Sequence, residues 1–129
     1  MKSAAFRVAI LLIVGLALGA CRAAPVYSVS SATMASPPNA TMEHVADAIR
    51  RAGISKGWQM IDKGPGEIEG RLNLRSHLAV VSITFDTKQF SIFYKDSTNL
   101  NYDGTRIHKN YNGWVQNLEK AILAQTAGI

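Results

Sequence analysis

The strongest constraint on this chain is a run of alternating segments between Gly57 and Lys95 whose faces can be matched to one another. Glu67–Leu74 alternates without a break, setting Glu67, Glu69, Arg71 and Asn73 against Ile68, Gly70, Leu72 and Leu74. His77–Phe85 gathers Ala79, Val81, Ile83 and Phe85 on one side, and residues 89–95 gather Phe90, Ile92 and Tyr94. Residues 57–62 form the remaining segment. A side-chain period of two is the mark of a β-strand. It also tests register, because a slip of one residue sends the apolar set to the wrong face. A two-residue loop at Thr87-Lys88 sets Phe85 against Phe90, Ile83 against Ile92 and Val81 against Tyr94. A loop at Arg75-Ser76 sets Ile68 against Ile83, Gly70 against Val81, Leu72 against Ala79 and Leu74 against His77. A three-residue loop, Lys63-Gly64-Pro65, sets Met60 against Ile68 and Trp58 against Gly70. Three independent turns return one common inner face, and such agreement outweighs any single propensity.

Helices flank this meander. Over residues 41–52, Met42, Val45, Ala46, Ile49 and Ala52 recur at helical spacing, with Thr41 as N-cap and Gly53 as the residue past the end. Glu43, Asp47, Arg50 and Arg51 make a solvated face, with Asp47 and Arg51 at i,i+4. Over residues 108–126, Tyr111, Trp114, Val115, Leu118, Ala121, Ile122 and Gln125 make a second stripe. Gly113 interrupts it at a cost of about 1 kcal/mol relative to Ala. Residues 97–107 read as a loop, rich in Asn, Asp and Gly. The expected fold class is α+β: a two-layer sandwich in which a four-stranded antiparallel meander carries both helices on one face, in the order α-β-β-β-β-α. The domain expected is residues 41–129.

The first twenty residues belong to a different problem. Lys2 and Arg7 precede an apolar run from Val8 to Leu18, then small residues, which is the pattern of an export signal over residues 1–20. The run is too short for a stable transmembrane helix. The whole chain carries 14 Lys+Arg against 9 Asp+Glu, formal charge +5 and a pI near 9.6. Without Lys2 and Arg7 the balance falls to 12 against 9, or +3, so the basic character gives little support to nucleic-acid binding. A single cysteine excludes a disulfide framework within the chain. Export excludes a cytoplasmic enzyme.

Leu18-Gly19-Ala20-Cys21 resembles the lipobox of bacterial lipoproteins. The resemblance implies that Cys21 is lipidated and becomes the first residue of the mature protein. Several acyl chains on one residue give stable membrane attachment. Arg22, rather than Asp, follows the cysteine, which by the sorting rule of enteric lipoproteins implies the outer membrane. Residues 21–40 read as lipidated cysteine and flexible tether. They are rich in Ala, Ser and Pro, with too little apolar surface to offset the entropy of ordering and a reach on the order of 25 Å. The alternative is that Val26-Tyr27-Ser28-Val29 adds to the sheet as an edge strand.

Few residues carry recognisable chemistry. Of the three histidines, His44 falls on the polar side of the first helix. His77 opens a strand on the inner face. By the register above, Asp96 and Thr98 lie at the same sheet end, where His108 begins the second helix. His77, Asp96 and His108 therefore make a candidate cluster for acid/base or ligand chemistry. A histidine hydrogen-bonded to close the core end is the plainer reading. No metal-ligand spacing is present, so neither metal nor cofactor is expected. Lys63-Gly64-Pro65-Gly66 joins two strands and lacks the features of a phosphate loop. No Gly-x-Ser-x-Gly elbow occurs. Glu67 and Glu69 share a solvent-facing strand face. The same outer face carries Ile61, Val80 and Phe93, a candidate docking patch.

Tyr94-Lys95-Asp96-Ser97-Thr98-Asn99-Leu100-Asn101-Tyr102, Ile107-His108-Lys109-Asn110-Tyr111-Asn112-Gly113-Trp114-Val115 and Arg75-Ser76-His77-Leu78-Ala79 resemble stretches of an uncharacterised group of small proteobacterial lipoproteins. The resemblance covers most of residues 42–122. It implies an envelope compartment and brings no activity with it. Asp96-Ser97-Thr98-Asn99 suits a self-hydrogen-bonded loop, and Tyr94, Asn99, Tyr102, His108 and Tyr111 around it make the candidate ligand site. The expected function is that of a non-enzymatic, outer-membrane-anchored periplasmic lipoprotein. Its expected partners are the membrane, through the lipid, and another envelope component. The alternative is a small-ligand binder or hydrolase working at the His77/Asp96/His108 end.

Overall fold

The computed structural model describes residues 22–129; Cys21 and residues 1–20, the expected export signal, lie outside them. In chain order the elements are strands β1 (Ala23–Pro25) and β2 (Val29–Thr33), helix α1 (Met42–Ser55), strands β3 (Gln59–Gly64), β4 (Glu67–Leu74), β5 (His77–Phe85), β6 (Gln89–Thr98) and β7 (Arg106–His108), and helix α2 (Lys109–Ala127). The fold is α+β. The meander β3-β4-β5-β6 is present, but β2 joins it beside β6 to make five strands in the order β2-β6-β5-β4-β3, and β1 and β7 pair in a separate two-stranded sheet.

The two central registers are as the alternation predicts. Ile68 faces Ile83, Leu72 faces Ala79 and Leu74 faces His77 across β4 and β5. Ile83 faces Ile92 and Phe85 faces Phe90 across β5 and β6. Two departures matter. The β3–β4 pairing sits two residues away from expectation, with Met60 opposite Gly70 and Asp62 opposite Ile68. Pro65-Gly66 makes the turn, and a bulge between Asp62 and Gly64 takes up the extra residue. A shift of two preserves the face of every side chain. Gly66, at φ +71°, is required here: a Cβ would stand 2.8 Å from the Phe85 carbonyl oxygen. The second departure is a bulge in β6, after which Val80 faces Asp96 and Ala79 faces Ser97.

Residues 22–34 are not a tether. Val29 pairs with Ile92 and Ala32 with Phe90, and the Met34 amide donates to the Lys88 carbonyl at 2.8 Å. Val29 and Met34 are buried. Strand β2 begins where the edge-strand alternative over 26–29 ends. Composition undercounted this segment because its few apolar side chains fall where β6 offers an unpaired edge. Tertiary hydrogen bonds complete the attachment. The Tyr27 amide donates to Asn112 Oδ1 at 2.9 Å, Asn112 Nδ2 donates to the Pro25 carbonyl at 2.9 Å, and the Tyr27 hydroxyl donates to Glu119 at 2.6 Å.

Helix α1 starts at the expected cap. Thr41 Oγ1 accepts from the His44 amide at 3.1 Å, and His44 Nδ1 accepts in return from the Thr41 amide at 3.4 Å. The helix runs past Gly53, which is buried inside it. A Cβ on Gly53 would stand 2.2 Å from Met60 Sδ, so the residue serves the close approach of β3. Asp47 pairs with Arg50 rather than Arg51, whose Nε donates to Gln125 at 3.3 Å. The expected loop over 97–107 is shorter, since β6 continues to Thr98 and β7 begins at Arg106. Both helices cover the inner face: Val45, Ile49 and Ala52 of α1 and Tyr111, Val115, Leu118 and Ile122 of α2 share one core with Ile68, Val81, Ile83, Phe90 and Ile92.

Candidate functional site

The end of the sheet where β5 starts and β6 finishes gathers most of the candidate residues. His77 Nδ1 lies 2.7 Å from the Asn99 carbonyl oxygen. A carbonyl only accepts, so Nδ1 carries the proton. Asn99 sits at φ +58°, a left-handed conformation that Asn tolerates better than most residues, and its Nδ2 donates to Ser76 Oγ at 2.9 Å. His77 thereby stitches the Arg75-Ser76 turn to the loop after β6. His108 is the N-cap of α2, its Nδ1 accepting from the Asn110 amide at 3.2 Å. That bond requires an unprotonated Nδ1, the opposite tautomer from His77. The two imidazole centroids are 6.4 Å apart, and Trp114 lies 6.2 Å from His77.

Asp96 does not join them. The β6 bulge sets it opposite Val80, one position away from Ala79, and its carboxylate accepts from the Ser97 amide at 2.8 Å. The expected His77–Asp96–His108 constellation is replaced by a chain of structural bonds, His77 to Asn99 to Ser76. Among the described residues no three His, Cys, Asp or Glu side chains gather so as to hold a metal ion.

The aromatic members do assemble. Tyr94 and Tyr102 stack with centroids 3.9 Å apart and planes 26° from parallel, and Tyr111 meets Tyr94 edge-on at 5.8 Å. The Tyr94 hydroxyl bonds Ser97 Oγ at 2.8 Å, and the Tyr102 hydroxyl donates to the Gly104 carbonyl at 3.3 Å. Tyr111 is fully buried and, among the described residues, its hydroxyl has no partner. Burial pushes both the Tyr94 and the Tyr111 phenol above the ordinary tyrosine value, with the neighbouring phenols adding to the effect on Tyr111. Both phenols therefore stay protonated near neutral pH.

On the outer sheet face the candidate patch is smaller than expected. Phe93 is 43% exposed and Ile61 half-buried, but Val80 is 1% exposed and offers no docking surface. Val80 lies in register between Arg71 and Asp96. Nearby, Glu69 is buried, with Lys95 Nζ at 2.8 Å and Arg71 Nη1 at 3.4 Å. The bond from Lys95 and then that from Arg71 hold its carboxyl below the ordinary value against the opposing effect of burial. The strict alternation puts Glu69 in solvent; the cations of Lys95 and Arg71 on its carboxylate offset the cost of its burial.

A groove of about 360 Å³ between the start of α1 and the β3–β4 turn has no counterpart in the sequence reading. Met42, Arg50, Asp62, Gly66 and Phe85 are among the residues lining it. Arg50 spans it, its Nε and Nη2 donating to the two Asp62 carboxylate oxygens at 3.1 Å each. This fork ties α1 to β3. Comparison with protein-family models, with curated proteins and with solved structures finds no match to the chain.

Proposed function

We propose that this chain is a lipoprotein of the outer membrane, anchored through Cys21 with its domain on the periplasmic side, and that it serves as a non-enzymatic binding or accessory protein for another envelope component. The export signal, the Leu18-Gly19-Ala20-Cys21 tetrapeptide and the likeness to small proteobacterial lipoproteins support the anchor. The observation that carries the binding role is the outer sheet face. It bears neither helix, and Phe93 on β6 stands 43% exposed, with Ser82 and Glu69 following it across the sheet before half-buried Ile61 on β3. An exposed aromatic side chain on a face that also carries the Glu69–Lys95 ion pair suits a protein partner of mixed apolar and polar surface. The polar groups at the His77 end support binding over catalysis, because each is engaged in holding a turn or a helix end.

The test is crosslinking of the lipidated protein in its own envelope, followed by pulldown. Cys21→Ser should abolish lipid labelling and release the protein from membranes. If the substituted protein still fractionates wholly with the outer membrane, the anchor reading fails. Phe93→Asp should retain lipid labelling and lose the captured component. Unchanged capture by Phe93→Asp removes the outer face as the docking surface.

A further inference from the structure

Arg22, the residue after the proposed anchor, is already bonded into the fold. The Arg22 carbonyl accepts from the Lys109 amide at 2.9 Å, Ala23 lies opposite His108, and the Ala23 carbonyl accepts from Arg106 Nη2 at 2.9 Å. Cys21 is one Cα step from Arg22, about 3.8 Å. No spacer separates the lipid-bearing residue from the start of α2.

The surface around this junction has a definite chemistry. Arg22, Arg75, Arg106 and Lys109 are all exposed there, and Tyr102 is 41% exposed on the loop between β6 and β7. The Ser76–Asn99 bond places the Arg75 turn beside that loop, and the His108 amide, which donates to the Leu100 carbonyl at 2.8 Å, binds the loop to β7. Two carboxylates, Asp103 and Asp96, share this end with the four cations and accept from backbone amides. Asp103 accepts from Thr105 and Arg106 at 2.9 and 2.8 Å, and Asp96 from Ser97 at 2.8 Å. Long cationic side chains and an amphipathic aromatic ring are the groups that settle at the boundary between headgroups and water, and clustered cations there attract anionic lipid.

We infer that this end of the domain seats directly on the membrane, with anionic phospholipid headgroups as its partner. The inference rests on Cys21 being the lipid anchor. The lipid supplies attachment, and the Arg22–Arg75–Arg106–Lys109 surface sets orientation. The loop carrying Tyr102 then faces the headgroups and the β3–β4 and β5–β6 turns point away.

The experiment uses the full lipidated chain, reconstituted in phosphatidylcholine vesicles with or without phosphatidylglycerol. With Cys21 acylated, a cysteine introduced by Asn110→Cys, beside the junction, or by Lys88→Cys, at the opposite end, is a unique thiol for a fluorophore. Mass spectrometry of the Cys21 peptide establishes the anchor separately. With the anchor present, a headgroup quencher should quench the label at position 110 severalfold more than the label at 88. The contrast should grow with phosphatidylglycerol and collapse in Arg106→Glu/Lys109→Glu, which keeps its lipid. Equal quenching at both positions on an acylated chain overturns the seated orientation while leaving the anchor intact. An unacylated Cys21 overturns both.

Discussion

Tyr111→Phe should make this protein more stable. Tyr111 opens the buried face of α2 and is fully enclosed by the core. Its ring meets Tyr94 edge-on at 5.8 Å, a contact that phenylalanine keeps. Among the described residues its hydroxyl has no partner; the two neighbouring phenols bond Ser97 and Gly104 instead. A buried hydroxyl without a hydrogen bond costs about 1–3 kcal/mol by the measure of protein substitutions. Removing the oxygen while retaining the ring recovers that cost and leaves no cavity larger than the atom itself. The expected gain is about 1 kcal/mol or more. For a domain near 100 residues this corresponds to a rise of roughly 4–8 °C in Tm per kcal/mol. Urea denaturation of the two proteins should show a higher midpoint for Tyr111→Phe at unchanged slope. Tyr111→Ala, the control, should lose about 3–5 kcal/mol through lost packing. A loss of about 1 kcal/mol or more in Tyr111→Phe would refute the reasoning, since it would mean that the hydroxyl is bonded in solution.

Three further outcomes are expected. A chain beginning at Thr41 loses the buried Val29 and Met34, each worth about 1.5–3 kcal/mol, and uncovers the β6 edge. Circular dichroism should show its melt lowered by at least 3 kcal/mol (on the order of) or no longer cooperative, and an unchanged midpoint would show that β2 adds nothing. Glu69 has its carboxyl held low by Lys95 and Arg71, so its contribution to stability is complete above the ordinary value of about 4.3 and is lost as pH falls through the lower folded value. Urea midpoints measured from neutral to acid pH should therefore fall less steeply in Glu69→Gln than in the parent. Gly113→Ala should stabilise by about 1 kcal/mol, because a Cβ there meets nothing within 4 Å; calorimetry that finds a loss would place an unseen contact on that face.

Part of the candidate site was legible in the sequence. Its aromatic members, Tyr94, Tyr102 and Tyr111, do meet, because two of them sit on elements whose phase is set by local periodicity. Asp96 was misplaced because a one-residue bulge in β6 changes register without leaving any mark in the alternation. Asn112 and Glu119 passed unnoticed on α2, since their partners, Pro25 and Tyr27, lie more than eighty positions away. Arg50 was read as one charge among several on a solvated face, and only the approach of β3 makes it the fork that holds Asp62.

Local periodicity by itself determined which face of β4, β5, β6 and the two helices meets the core, the pairing of β4 with β5 and most of β5 with β6, and the cap at Thr41. Those features depend on contacts within a few residues or on the requirement that one face stay apolar. The tertiary structure alone decided whether residues 22–34 are a tether or part of the sheet. A short segment with few apolar residues has no intrinsic preference strong enough to order itself. It becomes a strand because the edge of β6 presents unpaired backbone groups, and because Asn112 and Glu119 on the last helix hold it there.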